Sequence, residues 1–418
     1  MTASYNDMLN DHLHYDLLKE KLEKKNYIWK TLEHDDDVSG DIIVPFESSR
    51  ASSVKAGGGP TAVSAISKHA NVRGSIAFAN LPKRWGSLIF NWEDILNHDG
   101  RIKAKSFLGK FLPNQIEDFT NYFSDLLNHE ILNTAAKDKA AGTGTVGGSL
   151  AVYRPERYEI GEKLILDPAG ANLTVYVRTI DMNTSATTGT ITCYDAVTGG
   201  SAVDVSGVAA NELIYKDGFQ TAANQMTSLR DALLSSANGG DANIYGQSKL
   251  ASKYTQAIQA AGSSMTASNV LDVLFDGLAL HRRKSRVGVV EFWMSSKHFA
   301  NAMKKLEQDK GPYRTVPGSQ KASEYGFTEI EIFGPKTGGV KCVCLPDMDD
   351  DIIIGADPKS MKFHSVKGIQ KVKTPDGNYY TVSRDENNGF DFVTDLYYRG
   401  DVIVSQPYKN VIFHGISY

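Results

Sequence analysis

The sequence predicts an α+β protein of more than one domain, with a small all-β module inserted between segments of mixed structure. The chain has 418 residues, which is longer than a typical single-core domain. Residues 113–138 have a long amphipathic helical pattern, residues 158–218 have the pattern of short strands, and residues 219–384 alternate between the two patterns. Apolar residues make up 41% of the chain and charged residues 22%, so the composition is globular and not disordered.

Charge and cysteine content exclude several classes of protein. The formal net charge of −4 gives no protein-wide basic field for nucleic acid. Cys193, Cys342 and Cys344 lack the spacing of a disulfide framework, and we predict that they are buried structural thiols. The polar N-terminal stretch lacks the apolar core of a signal peptide, and no run of about 18 apolar residues could span a membrane. We therefore expect synthesis in a reducing cytoplasm.

Residues 1–40 begin with a helical pattern that is poor in apolar side chains and would be marginal alone. The acidic run EHDDD at 33–37 follows, and we predict a solvated turn there, with a cation site as the alternative. Residues 41–93 contain strand patterns at both ends, around a stretch rich in Gly, Ser and Ala. A loop of this length is unusual in a compact domain unless a partner holds it.

The middle of the chain contains the clearest helix and the strand-rich module. Pro113 suits the first turn of the helix at 113–138. The run GTGTVGG at 142–148 lacks the Lys-Ser/Thr of a phosphate loop, and we predict that it is a hinge. Short strands separated by turn residues over 158–218 predict a β-barrel or β-sandwich.

Two dense charged runs are candidate functional features. HRRKSR, from His281 to Arg286, lies at the predicted end of a helix, where cations oppose the helix dipole favourably. It is either a solvated helix end or a contact with an acidic neighbour or packaged DNA. The run DMDDD, which contains Asp347, Asp349, Asp350 and Asp351, is either a charged turn between strands or a divalent-cation site.

Catalytic signatures are absent from the sequence. The histidines are scattered, His129-Glu130 lacks the second His of a zinc-binding HExxH, and no GxSxG or GxGxxG follows a predicted strand. We therefore expect no catalytic residue, cofactor or resident metal. A metal-dependent enzyme that uses Asp347–Asp351 is the alternative outside the structural class.

The order of these parts resembles the Hong-Kong-97-type capsid fold of tailed bacteriophages. Residues 244–308 place a helix before a buried strand ending in Ser (EFWMS) and another helix after it, as such proteins do, and FDFVTDLYYRGDVIVSQPYKNVIFHGI at 390–416 resembles their C-terminal strands. The resemblance implies the following domains: an N-terminal arm (1–40), an extended two-stranded loop (41–93), a peripheral domain with a spine helix at 113–138 (94–157), the inserted β module (158–218), an axial domain (219–384) and closing peripheral strands (385–418).

The resemblance implies a major capsid protein that assembles into an icosahedral head in the bacterial cytoplasm, as pentamers and hexamers around double-stranded DNA contacted non-specifically. It also implies a separate scaffolding protein, a portal and decoration proteins as partners, and no membrane. An encapsulin-like nanocompartment, the same fold around protein cargo, is the alternative. The intersubunit contacts expected from the loop and the basic run are Arg50, Lys55, Gly57, Gly58, Gly59, Lys68, Arg73, Arg282, Arg283 and Lys284.

Overall fold

The computed structural model describes most of the chain, in two compact units. The described residues are 26–49, 70–91, 111–166, 172–182, 188–221, 224–263, 265–266, 268–285, 289–309, 329–334, 338–372, 375, 381–384 and 390–416. The first unit comprises 1–133 and 229–418, and the second comprises 134–228. Several predicted contact residues lie outside the described residues: Arg50, Lys55, Gly57, Gly58, Gly59 and Lys68.

The helices in the described part of the chain are α1 (Tyr27–Thr31), α2 (Phe111–Leu132), α3 (Leu229–Leu233), α4 (Val270–Ser285) and α5 (Ser296–Asp309). No helix among the described residues is long and apolar enough to cross a bilayer.

The strands before the second unit are β1 (Glu33–Asp35), β2 (Ile42–Ser49), β3 (Ala70–Ile76) and β4 (Lys83–Asn91). The strands of the second unit are β5 (Asp138–Lys139), β6 (Ser149–Val152), β7 (Lys163–Leu166), β8 (Leu173–Asp181), β9 (Gly189–Tyr194) and β10 (Leu213–Lys216). The strands after it are β11 (Asn243–Ile244), β12 (Gln247–Ser248), β13 (Ile258–Ala261), β14 (Glu291–Met294), β15 (Glu329–Gly334), β16 (Gly338–Cys344), β17 (Ile353–Ala356), β18 (Met361–Ser365), β19 (Gln370–Lys371), β20 (Thr381–Arg384), β21 (Phe390–Val404) and β22 (Val411–His414).

Two large sheets organise the first unit. The peripheral sheet is built on β21, which pairs with β4, β18, β19 and β20, while β1 joins the edge of β18. The axial sheet has the order β13-β22-β17-β14-β16-β15. Its two parallel pairs, β13 with β22 and β14 with β16, need crossovers, and α4 and α5 belong to those connections. Side chains of both helices and of this sheet form one buried apolar core.

The spine helix α2 packs on the peripheral sheet through β4. A Cβ atom added at Gly86 would lie 2.7 Å from the ring of Phe119 and 3.2 Å from that of Phe123, so the close approach of helix and strand requires glycine. Arg84 Nε donates to Glu130 Oε2 at 2.8 Å, and both side chains are buried. The helix ends at Leu132, six residues before the predicted end at 138, because residues from 134 onward fold into the second unit.

The second unit is a closed β-barrel. Its six strands pair antiparallel in the order β5-β10-β7-β8-β9-β6, and a bridge between Ala140 and Val152 joins the two ends. Its core is a single apolar cluster that includes Leu164, Val175 and Ile191. The unit begins at 134 and ends at 228, so it is larger than the predicted module at 158–218 and takes residues that were predicted to be peripheral.

The predicted hinge at 142–148 is instead the turn between β5 and β6. Thr145 N donates to the carbonyl of Ser149 at 3.0 Å, and Gly144 N donates to the carbonyl of Val208 at 2.9 Å. Gly148 has a φ of +77°, which favours glycine. The glycines therefore serve a tight turn within one barrel.

The cysteines occupy the two cores. Cys193 is buried in the barrel, and burial raises the pKa of its thiol to about 12. Cys342 is buried in the axial core, where burial raises its thiol pKa further. Cys344 is half-buried beside Ser296.

Candidate assembly surfaces

The base of the predicted extended loop is an antiparallel hairpin of β2 and β3 with one buried and one exposed face. Ile42, Val44 and Phe46 alternate along β2 and are buried. On the opposite face, Ile43 is 60% exposed, and the exposed Arg73 on β3 pairs with Pro45, two residues further along β2. Arg73 is thus the one predicted loop contact that falls among the described residues, and it lies on the outer face of the hairpin base.

Tyr245 anchors this hairpin to the peripheral sheet. Its ring stacks on Phe46 with centroids 6.1 Å apart, and its carbonyl accepts from Ser75 N at 3.1 Å. Its hydroxyl donates to the Val402 carbonyl at 3.1 Å and accepts from Val404 N at 2.8 Å. Tyr245 and Gly246 both have positive φ, at 49° and 76°, as the tight turn between β11 and β12 requires. The hairpin base is therefore held rigidly.

The outer face of the peripheral sheet carries an exposed apolar stripe. Trp85 and Ile89, both on β4, are each 60% exposed. Trp85 opposes Tyr397 on β21, with ring centroids 4.5 Å apart, and Ile89 opposes Val393. Arg84 and Gly86 point to the other face, towards α2, because side chains alternate along a strand. Exposed aromatic and aliphatic side chains in one row are typical of protein contact sites.

The basic run forms the last turn of α4. His281 is fully buried, while Arg283 and Lys284 are exposed and Arg282 is half-buried. None of these three cations forms a salt bridge with another described residue. Ser285 closes the helix within hydrogen-bonding distance of His281, at 3.1 Å from Nε2. Arg286 lies outside the described residues.

The acidic run DMDDD differs from the basic run, because each of its aspartates forms a hydrogen bond, through its side chain or its backbone, within the first unit. Asn133, which is fully buried, donates to the Asp347 carbonyl at 2.7 Å and accepts from Asp349 N at 2.8 Å. Both guanidinium nitrogens of Arg230 donate to the Asp351 carboxylate at 2.7 Å.

Two further contacts complete this acidic cluster. Asn128 on α2 donates to the carboxylate of Asp347. His298 Nε2 on α5 donates to the Asp350 carbonyl at 2.6 Å, and burial lowers the pKa of this histidine. The run thus joins α2, α3 and α5. In the part of the chain that the structure describes, no three His, Cys, Asp or Glu side chains are grouped to hold a metal ion.

The other acidic run, EHDDD, is not a solvated turn. Glu33–Asp35 form β1, which pairs in parallel with β18, and Asp37 bridges to Val366. Lys362 Nζ lies 3.0 Å from the Glu33 carboxylate, and His364 Nδ1 lies 3.2 Å from that of Asp35. The His34 ring stacks on Phe363 at 4.8 Å. The prediction of a turn is wrong because the backbone of this run pairs with β18, although the Glu33 and Asp35 side chains remain exposed.

Comparisons with known proteins find similar structures but no matching family model or curated sequence. No protein-family model matches the chain, and no curated protein matches its sequence. The capsid asymmetric unit of cyanophage A-1(L) matches with a TM-score of 0.50 at 10% identity, over 96% of this chain and 93% of that chain. The chain has the Hong-Kong-97-type capsid fold. The predicted fold class is thereby confirmed.

Other solved structures match at lower TM-scores. The capsid of a native GTA particle has a TM-score of 0.45 at 10% identity, covering 93% of this chain and 89% of that one. A virus-like particle from Pyrococcus furiosus has a TM-score of 0.39 at 9% identity, covering 95% and 96%.

Sequence reasoning missed the residues that make these surfaces rigid. Tyr245 stands before a glycine in a tight-turn pattern, which could have indicated the β11–β12 hairpin. Asn133 follows the last apolar residue of the spine helix, a position typical of helix ends. The pairing of Arg84 with Glu130 spans 46 residues, and no local pattern indicates it.

Proposed function

We propose that this protein is the major capsid protein of a tailed bacteriophage, a structural shell subunit that forms an icosahedral head around double-stranded DNA. The observation that supports the proposal most is the match to a capsid structure over 96% of this chain and 93% of the other. The match includes both units of the chain, so no large segment is left over for a different activity. A role as an enzyme has no comparable support.

The surfaces of the first unit suit contacts between copies. Trp85 and Ile89 present exposed apolar area on a sheet that the spine helix holds rigid from the other side. Burying such side chains contributes about 25 cal/mol for each Å² removed from water. A rigid sheet face can be covered in the same way by each successive subunit, as repeated assembly requires.

The hairpin of β2 and β3 is the second contact that we propose. Its base is fixed by Tyr245, and its outer face presents Ile43 and Arg73. Arg50, Lys55, Gly57, Gly58, Gly59 and Lys68, beyond that base, are proposed to reach a neighbouring subunit. A loop that is ordered only against a neighbour incurs its entropic cost at assembly, about 1–2 kcal/mol per residue.

The proposal extends to the rest of the virion. The subunits form pentamers and hexamers in the host cytoplasm, guided by a separate scaffolding protein and joined by a portal and decoration proteins. The domains predicted from the sequence stay part of this proposal, with the module boundaries moved to 134–228.

A pair of substitutions on the sheet face tests the proposed contact. In W85S/I89S, we expect the subunit to fold normally, because both side chains are exposed, and to lose shell formation in electron microscopy and sedimentation. The matched control is I160S/V197S, which removes exposed apolar side chains from the second unit and should leave assembly intact. Normal shells from W85S/I89S would show that this face of the sheet is not a contact between subunits.

The contents of purified shells test the remaining part of the proposal. Double-stranded DNA inside particles from infected cells would support a phage head. Particles that hold a protein cargo and no nucleic acid would support the encapsulin-like alternative instead.

A further inference from the structure

A cavity of about 470 Å³ lies beside the C-terminal end of α4, within the first unit. The segment before β13 supplies most of its wall, and α4 and the turn before β22 supply the rest. Its volume falls in the range of sites that hold small organic molecules, about 300–1,000 Å³. The chemistry of its floor and of its rim therefore indicates which molecule it suits.

The floor of the cavity is built from buried apolar and aromatic side chains. Tyr254, Ala257, Ile258 and Tyr408 line it, and each is 8% exposed or less. The rings of Tyr254 and Tyr408 meet edge to face with centroids 5.2 Å apart, which fixes both rings. The floor is therefore a rigid surface that can cover an apolar group.

The buried polar groups that line the cavity already have partners within the chain. Gln259 Nε2 donates to the Leu233 carbonyl at 2.8 Å, and its Oε1 accepts from a backbone N–H at 3.2 Å. Ser252 Oγ accepts from the backbone N–H of Tyr254 at 3.1 Å. The Ser285 hydroxyl lies 3.1 Å from the ring of a buried histidine on the same helix. Because these groups are engaged, the part of a ligand on the floor gains more from apolar contact than from hydrogen bonds.

The rim of the cavity is exposed and carries positive charge. Lys253 and Lys284 stand on two separate elements, both are exposed, and neither forms a salt bridge with another described residue. None of the described residues that line the cavity is Asp or Glu. Two nearby lysines differ, since Lys249 Nζ donates to a backbone carbonyl at 2.7 Å and Lys409 Nζ lies 3.7 Å from a carboxylate. The two rim lysines therefore have charge to offer a ligand.

We propose that this cavity binds a small amphiphilic organic anion, of the class of the free medium-chain carboxylates. The apolar body of the ligand lies on the floor, against Tyr254, Ile258 and Tyr408, and its acidic head lies at Lys253 and Lys284 on the rim. Floor and rim both belong to one subunit, so binding goes beyond the proposed function and does not need a shell. A membrane surface fits less well, because the only large apolar side chain of the rim that is exposed is Leu250.

Calorimetric titration of the purified, unassembled 418-residue chain with octanoate tests the site. We expect one octanoate per chain, with binding that weakens about 4-fold for each methylene removed from the probe. Octylammonium, which has the same body and the opposite charge, should not bind. K253Q/K284Q should weaken octanoate binding by about 3- to 30-fold, whereas K253R/K284R keeps the charge and should bind like the parent. The matched control is K304Q/K359Q, which neutralises two exposed lysines elsewhere in the first unit and should also bind like the parent.

Three results would overturn the site. One is equal octanoate affinity for K253Q/K284Q and the parent, because the rim lysines would then hold no acidic head. Another is acetate binding as tightly as octanoate, because the lysines would then collect anions without the cavity. The third is sedimentation of the parent, but not of K253Q/K284Q, with phosphatidylglycerol vesicles, because a membrane surface would then be the ligand. All three are measured on the subunit, so a chain that binds octanoate without forming shells would contradict the proposed function alone.

Discussion

The two dense charged runs of the first unit look alike in the sequence and have opposite environments in the structure. DMDDD is held by Asn133 just after α2, by Arg230 on α3 and by His298 on α5. HRRKSR ends a helix with Arg283 and Lys284 exposed and without a salt bridge among the described residues. The difference lies in the facing elements, which offer side-chain partners to the aspartates, whereas no described residue forms a salt bridge with Arg282, Arg283 or Lys284. A charged run therefore becomes structural or available for binding according to what folds opposite it.

Removing Asn133 should give the largest effect on stability. In N133A, the Asp347 carbonyl and Asp349 N lose their buried partner, and we expect the free energy of unfolding to fall by about 3 kcal/mol. The urea midpoint of the unassembled subunit measures this loss. N301A, at a half-buried position of α5, is the control and should change the midpoint little. Equal midpoints for the two variants would mean that the acidic run is not held as described.

Neutralising the basic run should leave stability nearly unchanged. R282Q/R283Q/K284Q loses only the favourable interaction of cations with the helix end, and we expect a total cost of about 1 kcal/mol. The same urea titration measures it. A loss as large as that of N133A would show that these cations have structural partners after all, and the contrast between the two runs would disappear.

A smaller effect should appear in the pH dependence of stability, through the His298 contact with the acidic run. Burial lowers the pKa of His298 below its ordinary 6.5, although its hydrogen bond to Asp350 and the nearby Asp351 raise it and Lys297 lowers it. As pH falls below about 6.5, the unfolded chain gains a proton before the folded chain does, so stability falls in that window. Burial acts in the same direction on His364 and His414.

Urea titrations between about pH 7.5 and about pH 5.5 measure this loss. H298Q should reduce the fall without removing it, because His364 and His414 still contribute. An unchanged pH dependence in H298Q would exclude His298 as a contributor.

Much of the architecture could be predicted because it depends on local patterns. The spine helix shows its apolar stripe from Phe119 to Leu132, and the barrel shows alternating strands such as β8. The first barrel strands were missed because β5 and β6 are short and poor in β-branched residues. The glycines between them fit a hinge and a tight turn equally well, and only the pairing of Ala140 with Val152 decides between these.

The candidate surfaces were less predictable, since exposure and partnership depend on distant residues. Glu33 and Asp35 are strand residues because β1 pairs with β18, which lies 329 residues later in the chain. A tryptophan side chain is large and apolar, so Trp85 would be expected in a core. It lies on the outer face because its neighbour Arg84 pairs with Glu130 on the other face of the sheet, and side chains alternate along a strand. No pattern within a short window contains that information.

Assembly of the purified 418-residue chain tests the central claim most directly. Sedimentation velocity, followed by negative-stain electron microscopy of each species, separates subunits, capsomers and shells. We expect the protein alone to form rings of five or six subunits, and closed icosahedral particles to form when lysate from infected cells supplies the scaffolding protein. Both should increase as the protein concentration rises. A folded protein that remains monomeric at every concentration, alone and in lysates of infected cells, would contradict the account.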